Sequence, residues 1–263
     1  MTLHVSRTFS HLKSPEQPKS AKPTLSDSPF TIKFGLFLVA LTTFVLPILL
    51  FLPFIIAKLL GFALTDYIGM TNENFGVYIV GAQSIGLLVS IGLIAEKLKS
   101  RGYSWSAVGL KKFRVWKSVR WIVGYYLIIL GALVALSIIV TLLGISSPAA
   151  SGDEKGGTKL LNFMGSFGLT FVLTVVLAPI VEEVIFRGVL LGAIAKRFGV
   201  IAGILVSSLL FTLVHLDPLQ MLSAFPLGVY LAIMYYKTGS IYPGIILHAS
   251  WNLFILLIAQ SAA

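Results

Sequence analysis

No cysteine occurs among the 263 residues, so disulfides, thiolate metal sites and a cysteine nucleophile are all excluded. Charge is nearly as scarce. Only 11% of the residues are Asp, Glu, Lys or Arg, against about 25% in an ordinary soluble domain. Acids are scarcer still, 10 against 20 bases, which leaves a net charge of +10. The missing charges are missing in blocks. Residues 34–57, 74–95, 121–152, 160–181, 198–214 and 218–236 are uncharged, and residues 238–263 hold no acid or base but His248. Most of these runs reach the roughly 20 residues that cross about 30 Å of hydrocarbon. With 57% apolar residues and a mean hydropathy of +0.94, the chain reads as all-α, a polytopic helical membrane bundle.

The excess of bases does not point to nucleic acid. It sits beside the apolar spans, where membrane topology and anionic lipid account for it. Residues 1–29 are polar and rich in Ser and Pro, and read as a flexible basic tail in which His4 and His11 are solvated. Residues 30–160 hold three spans, the first with Pro47 and Pro53 as kink sites. Between the second and third spans lie eight cations: Lys97, Lys99, Arg101, Lys111, Lys112, Arg114, Lys117 and Arg120. That density places the loop in the cytoplasm. Trp105, Phe113 and Trp116 interleave with the cations, as in a stretch lying on lipid headgroups or, equally, a solvated loop. A Gly/Ser/Pro-rich connection over residues 144–159 separates this half from residues 161–263.

The second half gathers the polar membrane residues: Glu182, Glu183, Arg187, His215, His248 and Asn252. A carboxylate in hydrocarbon is costly, so these groups should line a cavity or meet one another. Glu183 and Arg187 are four apart with the acid N-terminal, the favourable order for a helical ion pair. Glu182 is then left without a local partner, which makes it a candidate general base or acid. Lys196-Arg197-Phe198-Gly199 reads as a helix end and tight turn. Glu183 lies 16 residues before Gly199 and His215 lies 16 after it, so an acid and an imidazole should meet at one depth on antiparallel helices. By the same count Phe211 comes level with Arg187. Asp217 before Pro218 reads as a helix cap rather than a catalyst. Tyr230, Tyr235, Tyr236 and Tyr242 are expected near a membrane interface, and His248 and Asn252 share a helical face.

This constellation suits water activation, with Glu as base, His beside it and further His/Asn donors facing an oxyanion. The chain lacks H-E-x-x-H and G-x-S-x-G, so the usual zincin and nucleophile-elbow patterns are absent. A zinc site from Glu182, His215 and His248 is conceivable but has no characteristic spacing, and no metal or other cofactor is expected.

E-E-x-x-x-R at residues 182–187, F-x-x-x-H at 211–215 and H-x-x-x-N at 248–252 follow one another on successive apolar segments. This ordered set resembles the CPBP family, which comprises type II CAAX prenyl endopeptidases (glutamate intramembrane proteases) and the Abi and bacteriocin-processing proteins. The resemblance covers about residues 163–257. It implies an intramembrane endopeptidase in which Glu182 activates water with help from His215. Glu183 and Arg187 would hold the helix, and His248 and Asn252 would polarise the scissile carbonyl or stabilise its oxyanion. The family's particular substrates do not carry over; the expected substrate is a membrane-associated or lipidated protein or peptide, and the location is a membrane, the plasma membrane in a prokaryote. Two other classes compete: a proton-coupled transporter, since acid/His chains also relay protons, and a non-catalytic immunity or scaffold protein. Topology has two versions. A single helix kinked near Pro179 gives seven spans and keeps Lys196, Arg197 and Lys237 on the basic side. A break at Pro179 gives eight.

Overall fold

The computed structural model describes residues 28–59, 75–143, 168, 171–215 and 218–261. Among these every regular element is helical. The Asp217 cap, the 144–159 connection and the tail histidines lie outside the described residues.

Helix α1 (Ile32–Ala40) begins where the Thr31 hydroxyl accepts the amide N–H of Phe34. It continues through a wide-turn (π) segment, Leu41–Val45, into α2 (Leu46–Leu59). The cause of the wide turn is legible. Pro47 cannot donate to the carbonyl four residues back and its ring presses on that turn, so the ladder loosens just ahead of it. The Thr42 hydroxyl occupies the loosened turn, donating to the carbonyls of Leu38 and Val39 at 3.0 and 3.1 Å. Helix α3 (Phe75–Ser100) packs against this unit. After a single 3₁₀ turn at Trp105–Val108 comes α4 (Val115–Leu142).

The same wide-turn device recurs ahead of Pro179. Segment Phe171–Leu177 leads into α5 (Ala178–Glu182), and the turns run on without a break into a second wide-turn segment, Glu183–Leu191. All nine residues of that segment are buried, and no proline explains its geometry. Wide turns of this kind concentrate at functional sites. Helix α6 (Gly192–Leu213) contains Gly199 at φ +86°, ψ 165°, so the chain reverses there at the position the basic cluster marks. Only glycine takes that backbone without strain. Helices α7 (Pro218–Thr238) and α8 (Tyr242–Ser261) complete the bundle, with α6 against α7 and α8 against α4, α7 and the Phe171–Leu177 turns.

Three helical stretches, Ile32–Pro53, Val115–Leu142 and Phe171–Leu213, are long and apolar enough to cross a membrane. The many exposed Leu, Ile, Val and Phe side chains, among them Leu49, Leu127, Leu133 and Leu209, cover the bundle with apolar surface. The chain is an integral membrane protein.

The middle of the basic loop is packed into the bundle, while Trp105 and Trp116 stay exposed. Val108 is fully buried against Gly188, where an added Cβ would stand 2.7 Å from the Val108 carbonyl oxygen. The Gly109 carbonyl accepts the Ile241 amide at 3.0 Å, and the Ser240 hydroxyl donates to the Lys111 carbonyl at 2.8 Å. Tyr235 at the same end packs inward. It is buried with its ring against Gly109, and Tyr230 turns inward to donate to the Trp121 carbonyl at 2.6 Å. Tyr236 and Tyr242 remain exposed.

Candidate active site

The site forms where the Glu183–Leu191 turns, the end of α6, the middle of α7 and the first turns of α8 meet. Arg187 reaches back one turn, its Nη1 donating to Glu183 Oε1 at 2.8 Å, while Nη2 donates to the Gly228 carbonyl at 3.0 Å. Its guanidinium also lies over the Phe211 ring, 4.5 Å from the centroid. Phe211 thus stands level with Arg187, as the count from Gly199 predicts. Arg187 and Glu183 are fully buried, so each is the other's main compensation for lost hydration.

Glu182 differs from its neighbour. Its side chain keeps 20% of its surface, whereas Glu183 keeps none. Between the two acids sits His248 of α8, with Nδ1 3.4 Å from Glu183 Oε1 and Nε2 3.8 Å from Glu182 Oε2. The second separation is too long for a direct hydrogen bond and suits a bridging water. Glu183 Oε2, Arg187 Nε and His248 Nδ1 are buried without hydrogen-bond partners in the protein, so the cluster has unused polar capacity.

His215 is in the neighbourhood, packed against Phe211. Among the described residues, the imidazole within ion-pair reach of Glu182 is that of His248. The reason is local. The helix ends at His215, whose Nδ1 lies 2.8 Å from the Phe211 carbonyl, and this hydrogen bond lays the imidazole against Phe211. The Phe211 ring then stands between the two histidines, edge-on to both, at 4.9 Å from His215 and 5.4 Å from His248. Because a carbonyl only accepts, Nδ1 of His215 carries the proton and a neutral ring leaves Nε2 as a free acceptor. Asn252 lies one turn beyond His248 and spends one amide proton on the Thr174 carbonyl at 2.8 Å, which ties α8 to the Phe171–Leu177 turns. Among the described residues no three His, Asp or Glu side chains converge as a metal-ligand set.

Two site residues were not foreseen. Gly228 supplies a carbonyl to Arg187, and Gly244 lies against Glu183, where an added Cβ would stand 2.7 Å from Oε2. Neither leaves a signal in a single sequence beyond being a glycine within an apolar run.

Comparison with known proteins bears on the family. Residues 164–254 match the family model described as Type II CAAX prenyl endopeptidase Rce1-like. The chain is also 28% identical over 142 residues to "Putative membrane peptidase YdiL" of Bacillus subtilis (strain 168), an alignment covering 53% of this chain and 56% of that protein. The match thus spans little more than half the length of this curated relative. No solved structure matches. The resemblance to the CPBP/CAAX protease family is shown, and the family-model match covers the segment that carries the site.

Proposed function

We propose that this protein is an intramembrane endopeptidase that hydrolyses a peptide bond of a membrane-associated or lipidated substrate, with Glu182 as the base that activates water. The observation that carries the reading is the division of labour between adjacent acids. Glu183 is buried and bound to Arg187, while Glu182 is part-exposed and, among the described residues, has the His248 imidazole as its ion-pair neighbour within 4.0 Å.

In the proposed reaction a water held between Glu182 Oε2 and His248 Nε2 gives its proton to Glu182 as its oxygen attacks the scissile carbonyl carbon. The carbonyl oxygen becomes an oxyanion, which donors on His248 and Asn252 are suited to meet. The C–N bond then breaks and the proton passes from Glu182 to the leaving amine. His215, with Nε2 free to accept, assists the proton transfers. The low polarity around the cluster strengthens each of these interactions relative to water. The Glu183–Arg187–Gly228 chain holds the wide turns that present Glu182.

The reading is tested by profiling membrane-bound and lipidated peptides with the purified wild type and Glu182→Gln. Wild-type cleavage should fall at least about a hundredfold in the variant, with an unchanged unfolding temperature. Peptide binding without cleavage, or proton flux in liposomes lost in the same variant, would favour the scaffold and transporter readings instead.

The proposed topology has seven spans with the basic end cytoplasmic. Its support is that the eight-cation loop, Lys196 and Lys237 share one end of the bundle. Lys117 donates to the Lys237 carbonyl, and the adjacent carbonyls of Ser28 and Pro29 accept from Lys196 and Arg101. Since the chain has no cysteine of its own, one introduced at the exposed Lys237 reports the sidedness of that turn by labelling.

A further inference from the structure

Among the described residues, the basic end carries charge that no acid pairs with. The eight cations between residues 97 and 120 are joined there by Lys196, Arg197 and Lys237, and the one described acid among them is Glu96. Among the described residues, every ion pair within 4.0 Å involves Glu182 or Glu183 in the site, and none involves these cations.

One place at this end is shaped to receive an anion. Lys117, Arg120, Trp121 and Tyr230 line a pocket of about 270 Å³ between the first turns of α4 and the C-terminal half of α7. Its aromatic wall is fixed, because the Trp121 and Tyr230 rings meet edge-on at 5.5 Å and the Tyr230 hydroxyl is held by the Trp121 carbonyl. Lys117 is held too, by one hydrogen bond to the Lys237 carbonyl that leaves two ammonium protons free. Arg120 is exposed on the rim. Below the pocket α4 turns bare apolar side chains outward, Val123, Leu127 and Leu130 being at least half exposed. Two cations above an amphipathic aromatic pair, with a hydrocarbon-facing track beneath, match a phosphodiester joined to acyl chains.

We propose that this pocket binds the head group of an anionic phospholipid. Lys117 and Arg120 hold the phosphodiester, Trp121 and Tyr230 stand at the glycerol, and the acyl chains run down the outer face of α4. Basic pockets between membrane helices on the cytoplasmic side are suited to such head groups. The proposal is independent of the peptidase reading and is tested without an activity assay.

The full chain, purified in detergent, is titrated with phosphatidylglycerol or phosphatidylcholine and bound lipid is counted by native mass spectrometry. Phosphatidylglycerol should be retained at least about tenfold more tightly, and Lys117→Gln/Arg120→Gln should remove that preference. Lys111→Gln/Lys112→Gln, which removes equal charge at the same end, should leave affinity within about threefold. Equal losses in the two double variants would mean diffuse surface charge and overturn the pocket. Displacement of the lipid by inorganic phosphate at matching concentration would make it a free-anion site and also overturn it. The double variant's fold is checked by its unfolding temperature without lipid. Arg120→Gln alone, at an exposed position, should still weaken binding about threefold, and unchanged affinity there would count against the proposal.

Discussion

Helix α4 and the stretch Phe171–Leu213 are both long and apolar, yet they do different work. In the most apolar part of Val115–Leu142 only 6% of residues are buried within the protein, against 44% for Phe171–Leu213. Beyond Ile129 nearly every α4 side chain is exposed, whereas Glu183 to Ala195 is buried without exception. Hydrophobicity therefore does not say what a membrane helix touches. Lipid tails are as apolar as leucine, so association must come from close packing and polar contacts. The second stretch has both, in Gly188 against Val108 and in the Glu183–Arg187–Gly228 chain.

The contrast can be broken by substitution, and the sharpest cut is Arg187→Ala. It strands the Glu183 carboxylate in the interior, which should destabilise by about 3–5 kcal/mol and depress the unfolding temperature in detergent. A milder loss on the same side is Leu190→Ala. It removes packing against Gly35, whose added Cβ would stand 2.4 Å from Leu190 Cδ2, at about 2–5 kcal/mol. Gly188→Ala overpacks the contact with the buried loop and should cost about 1–3 kcal/mol, with faster hydrogen exchange at residues 105–110 as the local sign. On the other side, Leu133→Ala in α4 should change stability by no more than about 0.5 kcal/mol. A loss there as large as at Leu190 would mean that α4 is packed after all.

Much of this was legible in the sequence, for reasons that can be named. Lipid allows only helices or closed barrels to cross, so uncharged runs translated directly into helices. Gly199 after Lys196 and Arg197 fixed the reversal, and a count of residues across it put Phe211 at Arg187. The same count left the contacts of an imidazole open. It brought His215 to the depth of the acids but could not see that a hydrogen bond to Phe211 lays its ring against Phe211. Nor could it see α8, whose register against Glu182 is set by the Lys237–Ser240 turn and by the loop docked on it. His248 was known as a site residue without its neighbours being known. The packing of Tyr235 was hidden for a related reason. Its burial depends on Val108 and Gly109 folding back from a loop whose charge suggested only an aqueous or headgroup setting.

The glycine under Glu183 has a mechanical consequence. A carboxylate oxygen seated so near α8 works as a peg, and position 244 is the notch that admits it. The flanking residues, Pro243 and Ile245, both carry side chains, so sliding or rotating the helix by one position would jam it. His248 stands one turn along the same rod, and its distance from Glu182 is thereby gauged by the absence of a single methyl group.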